Sequence, residues 1–91
     1  MQNLNDHVEL SVPVLVLANP GTREERIYLI RNSYMTASGA WFHSDENLPR
    51  GTQTQIIFRL KYGPEQRTHR VMRSGKVVRT GFMGFAVEFD L

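Results

Sequence analysis

The sequence contains no cysteine, which excludes a disulfide framework and a thiolate metal site and makes a reducing compartment the simpler expectation. It also lacks a long apolar run, since the stretch Val12 to Ala18 covers seven residues and is interrupted by Pro13. A helix that crosses a bilayer needs about 20 apolar residues, and Met1 to His7 carries no basic region of the secretory kind. Neither a membrane span nor a leader is expected, and a cytoplasmic location is. Helical periodicity is missing too: no window places apolar residues at i, i+3, i+4 and i+7 between capping residues, so no long helix is expected. Repeats, linkers and low-complexity tracts are absent, and 91 residues have room for one domain, 1–91, with one core.

What the sequence does have is alternation. Val8, Leu10, Val12, Val14 and Val16 are apolar at every second position, with Glu9, Ser11 and Pro13 between them, the period of a half-buried strand with an edge or bulge at the proline. Asn19, Pro20 and Gly21 signal a turn, and a second strand follows over Arg26 to Ser33. Ala40 to Ser44 reads as a short third strand, and Asp45 to Gly51 as the loop after it. Thr54, Ile56, Phe58, Leu60 and Tyr62 alternate with polar residues in the clearest strand of the chain. Gly63 and Pro64 turn the chain into a long fifth run, Gln66 to Arg79, where Gly75 suggests a bulge that changes the inward parity. Phe85, Val87 and Phe89 complete the pattern. The expectation is an all-β, six-stranded antiparallel barrel. The even residues of the first strand should share its core with Ile56, Phe58, Leu60, Phe85, Val87 and Phe89.

Charge and motifs narrow the function classes. The net charge of +2 hides an asymmetry, with four Lys/Arg against six Asp/Glu in residues 1–50 and seven against three in 51–91. That excess suits a phosphate-bearing ligand or an acidic partner, although basic residues on a small domain are mostly solvated surface. His43, Ser44, Asp45 and Glu46 mix a histidine with carboxylates, but no nucleophile elbow or oxyanion donor pair accompanies them, so no enzyme is expected. His7, His43 and His69 lie apart and outside any metal-binding pattern, so no metal is expected. Arg67, Arg70, Arg73, Lys76 and Arg79 recur at a spacing of three, which a regular strand cannot place on one face. With no RNP-like motif present, specific nucleic-acid binding is not expected. Trp41 and Phe42 are adjacent on a short strand, so one can face the core while the other contributes to a ligand shelf.

Four segments in order resemble the bacterial PilZ family: Tyr34-Met35-Thr36-Ala37-Ser38-Gly39-Ala40-Trp41-Phe42, Leu48-Pro49-Arg50-Gly51-Thr52, Gly75-Lys76-Val77-Val78-Arg79 and Gly84-Phe85-Ala86-Val87-Glu88-Phe89. The likeness runs from about Val8 to Phe89. The first segment is similar to the family's D/N-x-S-x-x-G turn, with Gly39 at the glycine, Thr36 at the serine and Tyr34 where Asp or Asn stands in the family. The resemblance implies a barrel that binds cyclic di-GMP on its outer surface, through that turn and an R-x-x-x-R element ahead of the first strand. Arginine forks grip phosphate or the guanine edge bidentately, short polar side chains complete the hydrogen bonds, and glycine permits close approach.

Here Met1 to His7 contains no arginine. Arg23 and Arg26 form an R-x-x-R pair, but after the first strand, and Asn32 lies two residues ahead of the tyrosine. The implied ligand set is therefore Tyr34, Thr36, Ser38 and Gly39, with Arg26 and Arg31 as replacement charges. The expected function is a degenerate signalling module with weak or absent cyclic di-GMP binding. The alternative is an adaptor barrel that binds a protein partner and no nucleotide. The residues at Thr36, Ser38 and Gly39 are equally those of an ordinary tight turn.

Overall fold

The computed structural model describes residues 8–10 and 12–90. These contain eight strands and no helix: β1 (Val8–Leu10), β2 (Val14–Ala18), β3 (Arg26–Ile30), β4 (Ser33–Met35), β5 (Gly39–His43), β6 (Gln53–Tyr62), β7 (Arg67–Gly81) and β8 (Gly84–Phe89). All pair antiparallel in one sheet of order β1-β4-β5-β8-β7-β6-β2-β3.

Chain connectivity forces this sheet to curl. β1 and β2 stand six strand positions apart in the order, which in a flat sheet is about 29 Å at the usual strand spacing of roughly 4.8 Å. Only residues 11–13 join them, so Leu10 and Val14 lie at most about 15 Å apart at 3.8 Å per residue. β3 and β4, also six positions apart, are joined by Arg31 and Asn32 alone. The two ends of the sheet must therefore approach one another, and the molecule is barrel-like.

The sequence divides into six alternating runs, and the structure divides two of them again. Pro13, which has no N–H to give a ladder, separates β1 from β2, and Arg31 and Asn32 separate β3 from β4. The same two runs pair on both sides of the breaks, but the register slips by one residue between them, from Val8↔Met35 and Leu10↔Ser33 to Val14↔Ile30 and Val16↔Tyr28.

The interior holds Val14, Val16, Ala18, Ile30, Ala40, Phe42, Leu48, Ile56, Phe58, Val77, Phe85, Val87 and Phe89, with Leu60 packed against them and partly covered. Phe42 and Phe85, both fully buried, lie with ring centroids 5.3 Å apart. One expected core residue is displaced: Val12 sits at the Pro13 break and is 38% exposed, because the chain there is passing from one end of the sheet to the other. The side chains of Val8 and Leu10 lie outside the described residues. No described helix is long and apolar enough to cross a membrane.

The bulge expected at Gly75 is found further on. Gly75 is buried and in register with Thr54 and Phe89, and an added Cβ there would run into the carbonyl oxygen of Glu88. Glycine is needed at this point for close approach of two strands. The register shifts between Val77 and Arg79 instead, so Val78 is the extra residue.

Candidate functional site

The segment 36–38 joins β4 to β5 and is built around one hydroxyl. The Thr36 N–H donates to the Gly39 carbonyl at 2.8 Å. Thr36 Oγ1 accepts from the N–H groups of Ser38 at 3.3 Å and Gly39 at 3.2 Å, and donates to the Gly39 carbonyl at 3.3 Å. A hydroxyl has one proton and two lone pairs, so the turn uses all of them. The Ser38 carbonyl accepts from the Phe89 N–H at 2.8 Å, which ties the turn to the end of β8. Ser38 Oγ lies 3.4 Å from Thr36 Oγ1 in an exposed position and keeps its capacity to bond outward.

This arrangement separates a folding role from a binding role. Thr36→Val should cost about 1 kcal/mol of stability, the usual net worth of such side-chain bonds, while Thr36→Ser should cost little. Urea denaturation of the two variants checks this, and equal midpoints would show that the hydroxyl does not hold the turn.

Gly39 opens β5 opposite Glu88. Its φ is not in the left-handed region, so the residue is not required by the backbone angle. An added Cβ would collide with the carbonyl oxygen of Val87, and close approach of β5 to β8 is what demands glycine.

Cross-strand register places Tyr34 beside Trp41, Trp41 beside Ala86, and Ala86 beside Arg79. These four form one row over β4, β5, β8 and β7 on the outer face, because the neighbours of Tyr34, Trp41 and Ala86, namely Ser33, Phe42, Phe85 and Val87, are buried and Arg79 pairs with Ala86. Alanine between the larger side chains leaves a hollow. Together with Thr36, Ser38, Gly39, Val78 and Glu88, the row lines an open groove of about 1060 Å³. Tyr34 and Trp41 each meet the ring of His43 edge-on, with centroids 5.6 and 6.2 Å away.

Arg79 reaches this groove because of the bulge. Ahead of it Gly75 and Val77, at odd positions, are buried, and a regular strand would turn Arg79 to the same side. The extra residue, Val78, reverses the parity and leaves Arg79 paired with the outward Ala86. The guanidinium is exposed and has no ion-pair partner among the described residues. Glu88 brings one carboxylate to the same groove, so its nearby formal charges balance.

Four residues singled out from the sequence, Tyr34, Thr36, Ser38 and Gly39, thus come together in one groove, whereas Arg26 and Arg31 do not line it. Both are exposed at the two ends of β3. The cation that does line it, Arg79, was hidden in the run of basic residues at every third position. The adjacent apolar pair Val77-Val78, which breaks strict alternation, is the signal that marks its change of face. His43, Ser44 and Asp45 lie with Phe82 and Met83 around a smaller hollow of about 470 Å³. There Ser44 Oγ accepts from the Glu46 N–H at 3.0 Å. Among the described residues no group of three or more histidines and carboxylates is placed to hold a metal ion. Compared with protein-family models, curated proteins and solved structures, the chain matches no family model, no curated protein and no solved structure.

Proposed function

We propose that the chain is a PilZ-like signalling module whose outer groove takes a planar, anionic ligand of the cyclic dinucleotide kind, with weak affinity for cyclic di-GMP itself. The observation that carries this reading is the bulge at Val78, which aims the lone cation Arg79 into the same groove as Tyr34, Thr36, Ser38 and Gly39. An indole edge, a phenol, an exposed serine hydroxyl and a guanidinium are groups that stack on a base and bind phosphate. A six-stranded barrel is the finer description of the fold that goes with this reading. Its support is that only short breaks separate β1 from β2 and β3 from β4, and that the two runs pair with one another on both sides, one residue out of register.

Weak affinity follows from three features of the groove. Thr36 Oγ1 is used up within the turn, Tyr34 replaces a short carboxylate or amide, and Glu88 opposes the charge of Arg79. The test is a titration with cyclic di-GMP followed by amide chemical shifts. Shifts confined to Tyr34, Ser38, Trp41 and Arg79, and abolished by Arg79→Ala, are the expected result. Shifts centred on Arg26 and Arg31 would place the site elsewhere and refute the reading.

A second reading, a protein-binding adaptor, is favoured by an apolar row elsewhere on the outer face. Leu29, Leu15, Ile57 and Met72 are successive cross-strand partners over β3, β2, β6 and β7. Leu29 is 55% exposed and Met72 49%, and a contiguous apolar stripe on a small domain marks an interaction surface.

A further inference from the structure

We propose that β3 is a dimerisation strand, pairing antiparallel with β3 of a second copy about a two-fold axis at Tyr28. This inference is independent of the groove. β3 ends the sheet order and makes backbone ladder bonds to β2 alone among the described residues. Its outward side chains are apolar and uncovered, Ile27 being 61% exposed and Leu29 55%. It carries no proline and no bulge, two of the devices that blunt an edge against pairing, and its one charged residue, Arg26, stands at its end.

Self-complementarity identifies the occupant. A two-fold axis perpendicular to a continuous sheet keeps inner faces together, so it must pass through a residue and pair odd positions with odd. With the axis at Tyr28, Ile27 faces Leu29 of the second copy and Glu25 faces Arg31, and each contact occurs twice. Ile27 and Leu29 are the exposed odd residues of the strand, and Glu25, half-buried, and Arg31, exposed, flank its two ends at the same spacing of two. An axis at Ile27 sets Arg31 against Arg23, and one at Leu29 sets Arg31 against Ile27. The Tyr28 register alone spans the whole strand and brings opposite charges to both ends. Cross-strand opposite-charge and apolar pairs each favour association, and like charges oppose it. The row Met72, Ile57, Leu15, Leu29 then runs on into Ile27 and Leu17 of the second copy. Arg31, which the groove leaves unused, gains a partner.

The test is sedimentation velocity on the chain from about 1 µM to about 1 mM, since a short edge interface belongs to the weak class. The dimer fraction should rise across that range. Glu25→Arg and Arg31→Glu should each weaken dimerisation by about tenfold, because each turns two opposite-charge pairs into like-charge pairs, and the double exchange should restore it. Glu25 also accepts the Gly21 N–H at 2.7 Å, so Arg31→Glu, which leaves that turn alone, is the cleaner single variant, and thermal melts of each show that the fold is kept. A chain monomeric at about 1 mM overturns the proposal in favour of another occupant, a foreign strand or a lipid surface. A dimer indifferent to both charge changes overturns it too.

Discussion

Gly84→Ala should remove a substantial part of the stability of this domain, about 2–6 kcal/mol. Gly84 opens β8 with φ 144, between its partners His43 on β5 and Gly81 on β7, and an added Cβ would run into the carbonyl oxygen of Phe42. Neither side can yield cheaply. Phe42 and its neighbour across the strands, Phe85, are fully buried against one another, so moving the carbonyl moves the centre of the core. A non-glycine residue held in a disfavoured region costs about 1–3 kcal/mol, and overpacking of a close-packed interior adds about 1–3 more. The sum, roughly 2–6 kcal/mol, is a large fraction of the stability of a small domain, about 5–15 kcal/mol. Gly51→Ala is the matched control, since Gly51 also has positive φ, at 90, but its Cβ would meet nothing. It should lose only about 1–2 kcal/mol. Chemical denaturation of both variants measures the difference, and equal losses would mean that the Phe42 contact relaxes without cost.

Cyclic di-GMP should fail to saturate the unmodified chain below about 1 mM, and a variant with Asn3→Arg, His7→Arg and Tyr34→Asn should bind two to four orders of magnitude more tightly. Each hydrogen bond to a charged group contributes about 1.5–3 kcal/mol net, so two restored arginines contribute about 3–6 kcal/mol. At 1.4 kcal/mol per decade that is the stated gain. Calorimetry at low and moderate salt reads it, and the gain should shrink with salt if phosphate contacts carry it. Low-micromolar, saturable binding by the unmodified chain would sink the weak-site reading. Loss of that binding in Arg79→Ala, but not in Arg26→Ala, would then make the bulge the sole source of charge.

Alternation made the strands legible because the inward face of a curled sheet filters for apolar residues at every second position. Val14, Val16, Ile56, Phe58, Phe85, Val87 and Phe89 are all buried where that pattern places them. Faults in the alternation were harder to read. Val12 keeps the parity of its run yet is exposed, because Pro13 ends one ladder before the next begins. Gly75 looks like a bulge in sequence but serves close packing, while the bulge itself falls on Val78, an ordinary strand former. The turn residues of the groove were singled out through their resemblance to the D/N-x-S-x-x-G turn. Arg79 could not, since its place beside Ala86 and Trp41 depends on a register between distant segments. Arg26 and Arg31 looked available because a sequence does not show that the strand they flank, β3, lies outside the four strands that carry the groove.

The hydroxyl of Thr36 bears on how such a motif ages. Its proton and both lone pairs are engaged by its own turn, and Gly39 is fixed by the carbonyl of Val87. Selection for a foldable chain alone would therefore preserve both residues after every ligand contact had been lost. The exposed guanidinium of Arg79 has no such bond in the turn. In a lineage of these domains the hydroxyl and the glycine would outlive the activity, and a history of binding would have to be read from the residues that change.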